Sequence, residues 1–216
     1  WVLACVEAQG NIIRTLGGQQ TTLRDIALAL RPGLNLSENV AGTNAPGCVL
    51  EEQRPVLVRG SEHFLEEIHG FACVAVPIFQ PSGELAGVLN ATRHHRAPSI
   101  GILEPLALAA RAIENRMVSA LPGALRLRLH YSPELVKSPM CGLLAVSRDG
   151  QLLGANSLAR QLLELDTLAE SGRFVQTVFQ HALSPLLDTL RKHGNTPVPL
   201  HCHNGVRIHV CLVDET

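Results

Sequence analysis

The side chains best suited to chemistry fall in a few short stretches. His201-Cys202-His203, with His209 and Cys211, is the one group of metal-ligating types. On a strand, alternate residues face opposite ways, so His201 and His203 share a face and Cys202 points away. His209 can approach one of them across the Asn204-Gly205 turn. Zinc needs three or four convergent ligands, and the pattern reads more simply as an exposed strand face rich in histidine; no metal is expected. Glu62-His63-Phe64 sets an acid, an imidazole and a ring in sequence. His63 can hydrogen-bond a small polar molecule while Phe64 closes its apolar side, the composition of a small-molecule pocket. Equally, His63 can staple its own loop. Gly42-Thr43-Asn44-Ala45 can place backbone N–H groups and the Asn44 amide at a pocket mouth, or it is plain capping with Thr43 as the N-cap. Cys73 lies in the apolar run Phe71-Ala72-Cys73-Val74-Ala75-Val76, as pocket lining or as core packing. Glu38 can take a ligand hydroxyl, pair with an arginine, or stand as a solvated loop acid. No nucleophile elbow, zinc motif or phosphate loop occurs, so an enzyme is not expected.

Composition sets the frame for these side chains. Of 216 residues 46% are hydrophobic and 17% charged, enough apolar material for one large core or two small ones. The net charge of -1 lacks the basic balance of a nucleic-acid binder. Leu125-Arg126-Leu127-Arg128-Leu129-His130 alternates charge with leucine, which predicts a strand with one exposed face. Six cysteines without a Cys-x-x-Cys pair, and no signal peptide, fit a reducing cytoplasm. No apolar stretch reaches the ~20 residues of a membrane span. The missing initiator methionine leads to the expectation that the natural start lies upstream.

The elements that must position the candidate residues follow from periodicity. Trp1–Glu7 and Ile12–Leu16 flank a turn at Ala8-Gln9-Gly10-Asn11. Helices are predicted over Thr21–Leu30 and 44–52, the second with Pro46 in its first turn. Strands are predicted at Pro55–Arg59, Phe71–Phe79 and Leu85–Ala91. Ile100–Leu121 is the longest helical pattern, with Leu103, Leu106, Ala110, Ile113, Met117 and Leu121 on one stripe, while Glu114 lies mostly off it. Pro122-Gly123 ends it. Beyond that point Asp149-Gly150 and Asn204-Gly205 predict hairpins. Asn156 sits at a helix N-cap, and Phe174–Arg191 reads as a helix interrupted near Pro185. The mixture is α+β: two domains, each an antiparallel sheet with helices, joined by a long helix. The expected bounds are 1–98, a connecting and dimerising helix over 99–122, and 123–216. Leu103, Leu106, Ala110, Ile113 and Met117 are the expected homodimer contacts.

Two sets of residues carry a resemblance. Pro32-Gly33, Ser37-Glu38, Gly42-Thr43-Asn44-Ala45, Gly47, Val58-Arg59-Gly60-Ser61-Glu62-His63-Phe64, Cys73, Pro77-Ile78, Pro81-Ser82-Gly83 and Gly87-Val88-Leu89 resemble the GAF-type sensor domain of acetoin-regulator-like activators. Those activators work with the sigma-54 form of RNA polymerase. Gly142-Leu143-Leu144-Ala145, Asp149-Gly150, Ala155-Asn156, Ala159-Arg160 and Leu162-Leu163 are similar to the start of the PAS domain in the same activators. The resemblance implies the sensory front of a transcription regulator, binding a small ketol, diol or alcohol in a GAF pocket. Glu38, Thr43, Asn44, His63, Phe64, Phe71 and Cys73 would line that pocket, with no cofactor and no catalytic residue. RNA polymerase and DNA would be reached only through ATPase and helix-turn-helix modules absent from this sequence. The alternative is a GAF–PAS module that senses a partner protein. The chain departs from the pattern at Leu36 (often aromatic), Pro46 (usually aliphatic), Phe71 (often tryptophan) and Asn90 (often aspartate), and these departures bear on the effector more than on the fold.

Overall fold

The computed structural model describes residues 1–17, 24–96, 101–165 and 173–213. They form two compact units, each built on a five-stranded antiparallel sheet with helices, an α+β architecture. One unit holds Trp1–Ile78 and Leu85–Ala110; the other holds Phe79–Glu84 and Arg111–Thr216.

In the first unit, β1 (Val2–Glu7) pairs with β2 (Ile12–Leu16) and with the central strand β5 (Leu85–His94), which is followed by β4 (Phe71–Phe79) and β3 (Val56–Arg59). β1 buries every second residue, Val2, Ala4 and Val6, as one face of a pleated strand must. Against that face pack Ile26 and Leu30, from and just after α1 (Arg24–Ala29), with Ala45 and Val49 of α3 (Ala45–Glu52). The first three residues predicted for the first helix, 21–23, lie outside the described residues. A short helix, α2 (Glu38–Ala41), had no periodic signature in the sequence.

The N-cap of α3 is Asn44, not Thr43. Its side chain accepts from Gly47 N at 2.9 Å, while Thr43 is exposed. Two glycines hold this corner. Gly42 has φ +61, and a Cβ there would fall 2.4 Å from the Phe64 ring. A Cβ on Gly47 would lie 2.8 Å from the Leu36 carbonyl oxygen.

The second unit orders its strands β8 (Leu152–Ala155), β7 (Gly142–Val146), β6 (Leu125–His130), β10 (Arg207–Leu212) and β9 (Val198–His201). β6 is thus central, and its arginines are half-buried rather than an open face. The Arg126 guanidinium donates to the Leu121 carbonyl at 3.1 Å and to Ala124 O at 3.3 Å, where a cation suits a helix C-terminus. α5 (Ser157–Leu163) is capped by Asn156, whose side chain accepts from Ala159 N. The predicted 174–191 helix is two helices, α6 (Val175–Val178) and α7 (Leu183–His193). The break falls before Pro185, which sits in the first turn of α7, where its missing N–H costs nothing.

Helix α4 (Leu103–Ser119) divides between the units at Ala110. Leu106, Ala110, Glu114 and Val118 are its buried positions, each four residues from the last. This corrects the predicted stripe: Leu103 and Ile113 are exposed and Met117 is half-buried. Leu106 and Ala110 are buried within their own chain and so cannot be dimer contacts. Glu114, placed off the stripe by the sequence, is 2% exposed because both carboxylate oxygens are used. They accept from Phe79 N at 3.0 Å and from Ser157 N at 2.8 Å. No described helix is long and apolar enough to cross a membrane.

Candidate functional site

Between the helices and the sheet of the first unit lies a cavity of about 280 Å³. Its upper wall comes from the end of α1 and the chain that follows, through Leu30, Leu34 and Leu36. α2 gives Val40 and Ala41, and the start of α3 gives Asn44 and Pro46. Its floor is the sheet, through Phe71 and Cys73 of β4 and Asn90 and Thr92 of β5. The chain between β3 and β4 adds His63, Leu65 and Ile68. No arginine, lysine, aspartate or glutamate lines it.

Four of the seven sequence candidates meet here: Asn44, His63, Phe71 and Cys73. Three do not. Thr43 is exposed, and its carbonyl accepts from Phe64 N at 3.0 Å. The Phe64 ring is 72% exposed and lies over Gly42 instead of closing the cavity. Glu38 lies outside the wall, where its carboxylate accepts from the Cys48 thiol at 3.3 Å. Burial, then the Glu38 carboxylate, pushes that thiol up to about 11.

The polar atoms of the cavity fall into two kinds. The Asn44 amide is fully engaged: its nitrogen donates to Leu36 O at 2.9 Å and Gly42 O at 2.8 Å, and its oxygen caps α3. His63 and Asn90 are each only half engaged. The His63 ring pairs through Nδ1 with the Gly60 carbonyl at 3.0 Å. A carbonyl only accepts, so the proton sits on Nδ1 and the neutral ring offers Nε2 as an acceptor. Burial holds the His63 pKa below that of a free imidazole, favouring the neutral ring. Asn90 donates through Nδ2 to Thr92 Oγ1 at 2.9 Å, and that hydroxyl shares a hydrogen bond with Cys73 Sγ at 3.2 Å. His63 Nε2 and Asn90 Oδ1 are buried without a protein partner. Burial raises the Cys73 thiol to about 11, so it is an inert wall at neutral pH and not a nucleophile.

Asn90 and Thr92 were missed as site residues, although Asn90 was noted as a departure. Their signal was two polar residues at i and i+2 inside Val88-Leu89-Asn90-Ala91-Thr92, the spacing that shares one face of a strand. Three other departures, Leu36, Pro46 and Phe71, also line the cavity.

A larger cleft of about 420 Å³ opens on the other face of the same sheet, beside Leu57, Arg59, Arg93 and His95. In the second unit the histidine-rich hairpin is dispersed. His209 faces Pro199 across the β9–β10 ladder and not His201. His209 Nδ1 pairs with Tyr131 O and His203 Nε2 with Gln176 O. Among the described residues no three His, Cys, Asp or Glu side chains converge on a metal position.

The MimR N-terminal domain family matches residues 8–115. The "Signal-transduction and transcriptional-control protein" of Clostridium beijerinckii is 26% identical over 183 residues, covering 82% of this chain and 29% of its own. The "Acetoin catabolism regulatory protein" of Cupriavidus necator is 30% identical over 171 residues, covering 76% of this chain and 25% of its own. The chain therefore spans less than a third of these relatives. Among solved structures, the E. coli DhaR(N)–DhaL complex superimposes over 100% of this chain and 79% of that one, with a TM-score of 0.51 at 15% identity. That likeness is one of fold.

Proposed function

Because the chain belongs to the family of the MimR N-terminal domain, and its relatives here carry the names of a transcriptional-control protein and a catabolism regulatory protein, we propose that it is the sensory region of a transcription regulator and not an enzyme. The GAF-like sensor, taken over 1–98, corresponds to most of the first unit and the PAS-like domain, taken over 123–216, to most of the second, with 99–122 connecting them; the compact units themselves divide within that connection at Ala110 and assign Phe79–Glu84 to the second. The effector is a small uncharged metabolite of the ketol, diol or alcohol type, held in the cavity beside His63 and Cys73. The observation that carries this reading is the cavity itself: about 280 Å³, walled by apolar side chains, without a formal charge, and holding a few buried polar atoms. Such a volume suits a molecule of a few carbons. A ligand shifts the regulator only by binding its two states differently, and α4 is the element that leads from the sensor to the rest of the chain. Cytoplasmic location, action with sigma-54 RNA polymerase through modules elsewhere in the protein, and a homodimer paired through the exposed side chains of α4 complete the proposal.

Thermal unfolding against a panel of short alcohols, diols, ketols and aldehydes tests it. A ligand at about 100 times its dissociation constant stabilises the native state by about 2.7 kcal/mol, which raises the midpoint by about 5–10 °C for a chain of this size. A rise with one compound class is the expected result. A flat response across the panel overturns the metabolite reading in favour of partner-protein sensing.

A further inference from the structure

His63 is 2% exposed and Asn90 is fully buried, yet each keeps one acceptor, Nε2 and Oδ1, without a protein partner on the wall of a single cavity. Buried polar atoms are nearly always paired, so two orphans of the same sense in one small cavity describe what fills it. Both want a donor. The nearby polar groups do not change that sense: the Asn35 and Asn44 amides are engaged with the protein through both oxygen and nitrogen, and the Thr92 hydroxyl is held between Asn90 and Cys73. No lining residue carries a formal charge to receive a carboxylate, phosphate or ammonium. A ketone or aldehyde oxygen would bring a third acceptor to face these two.

We propose that the cavity selects uncharged ligands with two hydroxyl donors on a short carbon chain, the small-diol class, one hydroxyl donating to His63 Nε2 and the other to Asn90 Oδ1. This rests on reading the cavity as the metabolite site. His63 and Asn90 are then the specificity-determining residues, and Leu30, Leu36 and Phe71 hold the carbon chain.

Titration calorimetry with butane-2,3-diol, 3-hydroxybutan-2-one and butane-2,3-dione tests the rule at nearly constant size with two, one and no donors. Affinity should fall about ten-fold with each hydroxyl replaced by carbonyl, because each leaves one buried acceptor unmet. In Asn90→Leu or His63→Phe protein, the diol's advantage over the ketol should shrink to less than two-fold. The titrations on unaltered protein do not depend on how either variant folds. Binding of the dione as tightly as the diol overturns the donor rule and leaves the cavity a metabolite site. An unchanged diol-to-ketol ratio in both variants, each still folded by circular dichroism, overturns the assignment to these two acceptors. No binding by any of the three, with a flat thermal panel, overturns the metabolite reading and the rule together.

Discussion

Asn44 has its whole side chain engaged with the backbone around it, one oxygen to Gly47 N and one amide nitrogen to Leu36 and Gly42. Removing it frees a helix N-terminus and two carbonyls in a buried corner. Asn44→Ala should cost about 2 kcal/mol, read as a lower urea midpoint at constant slope, and Asn44→Asp should fall between the two because it keeps the cap alone. The pH dependence of stability belongs to His63. Burial lowers its folded pKa, so the sign is that of a buried neutral base. Above about pH 6.5 the ring is neutral in both states and stability is complete. Below that, the unfolded chain takes up the proton first, and stability falls until the pH passes the folded pKa. The hydrogen bond to the Gly60 carbonyl and the Glu62 charge act against burial, and His69 and His95 act with it. Urea midpoints at pH 7.5 and pH 5.5 should differ more for the unaltered protein than for His63→Phe. Much of this corner was legible: Gly42 through Gly47 announced a capped helix. The cap was misread by one residue because threonine and asparagine both cap well, and only the helix start, set by the packing of Gly47 under Leu36, decides between them.

At the scale of elements, the hairpins were the most legible parts. Asp149-Gly150 and Asn204-Gly205 carry their own conformation, with Gly150 at φ +89 and Gly205 at φ +83. Helix α4 was legible in existence and extent but not in orientation. Apolar residues lie around much of its circumference, so periodicity gave two candidate faces, and packing chose Leu106, Ala110, Glu114 and Val118. A glutamate on the inner face has no sequence signature, because its reason is two backbone N–H groups remote in the chain, at Phe79 and Ser157. The proposed dimer therefore involves exposed Leu108 and Ile113 rather than Leu106. Ile113→Glu should lower the mass seen by light scattering while leaving the thermal midpoint within about 3 °C, a surface substitution costing at most about 0.5 kcal/mol. Leu106→Glu should instead unfold the chain, since it buries an unpaired charge. A monomeric mass for the unaltered protein at high micromolar concentration contradicts the dimer.

At the scale of the molecule, two sheets with different strand orders arise from similar successions of strands and helices. In its own numbering the first unit runs second-first-fifth-fourth-third and the second runs third-second-first-fifth-fourth. That difference was invisible in the sequence, because strand order depends on which distant strands pair and not on local pattern. The α+β class was visible, because each unit alternates period-two runs with helical ones. The cavity was half visible: Asn44, His63 and Cys73 stood out by residue type and position and Phe71 through a resemblance, while the second acceptor, Asn90, became a site residue only when β5 brought it opposite the helices. The central claim is that a small hydroxyl compound enters this cavity and no other. Nitrogen-resolved NMR of the labelled protein, titrated with butane-2,3-diol, tests it most directly. The His63 Nε2 resonance and the Asn90 side-chain amide should shift together and saturate, while the side-chain resonances of Arg59 and His95 in the cleft across the sheet stay in place. Saturating shifts confined to that cleft, or none at His63 and Asn90 at any concentration, would contradict it.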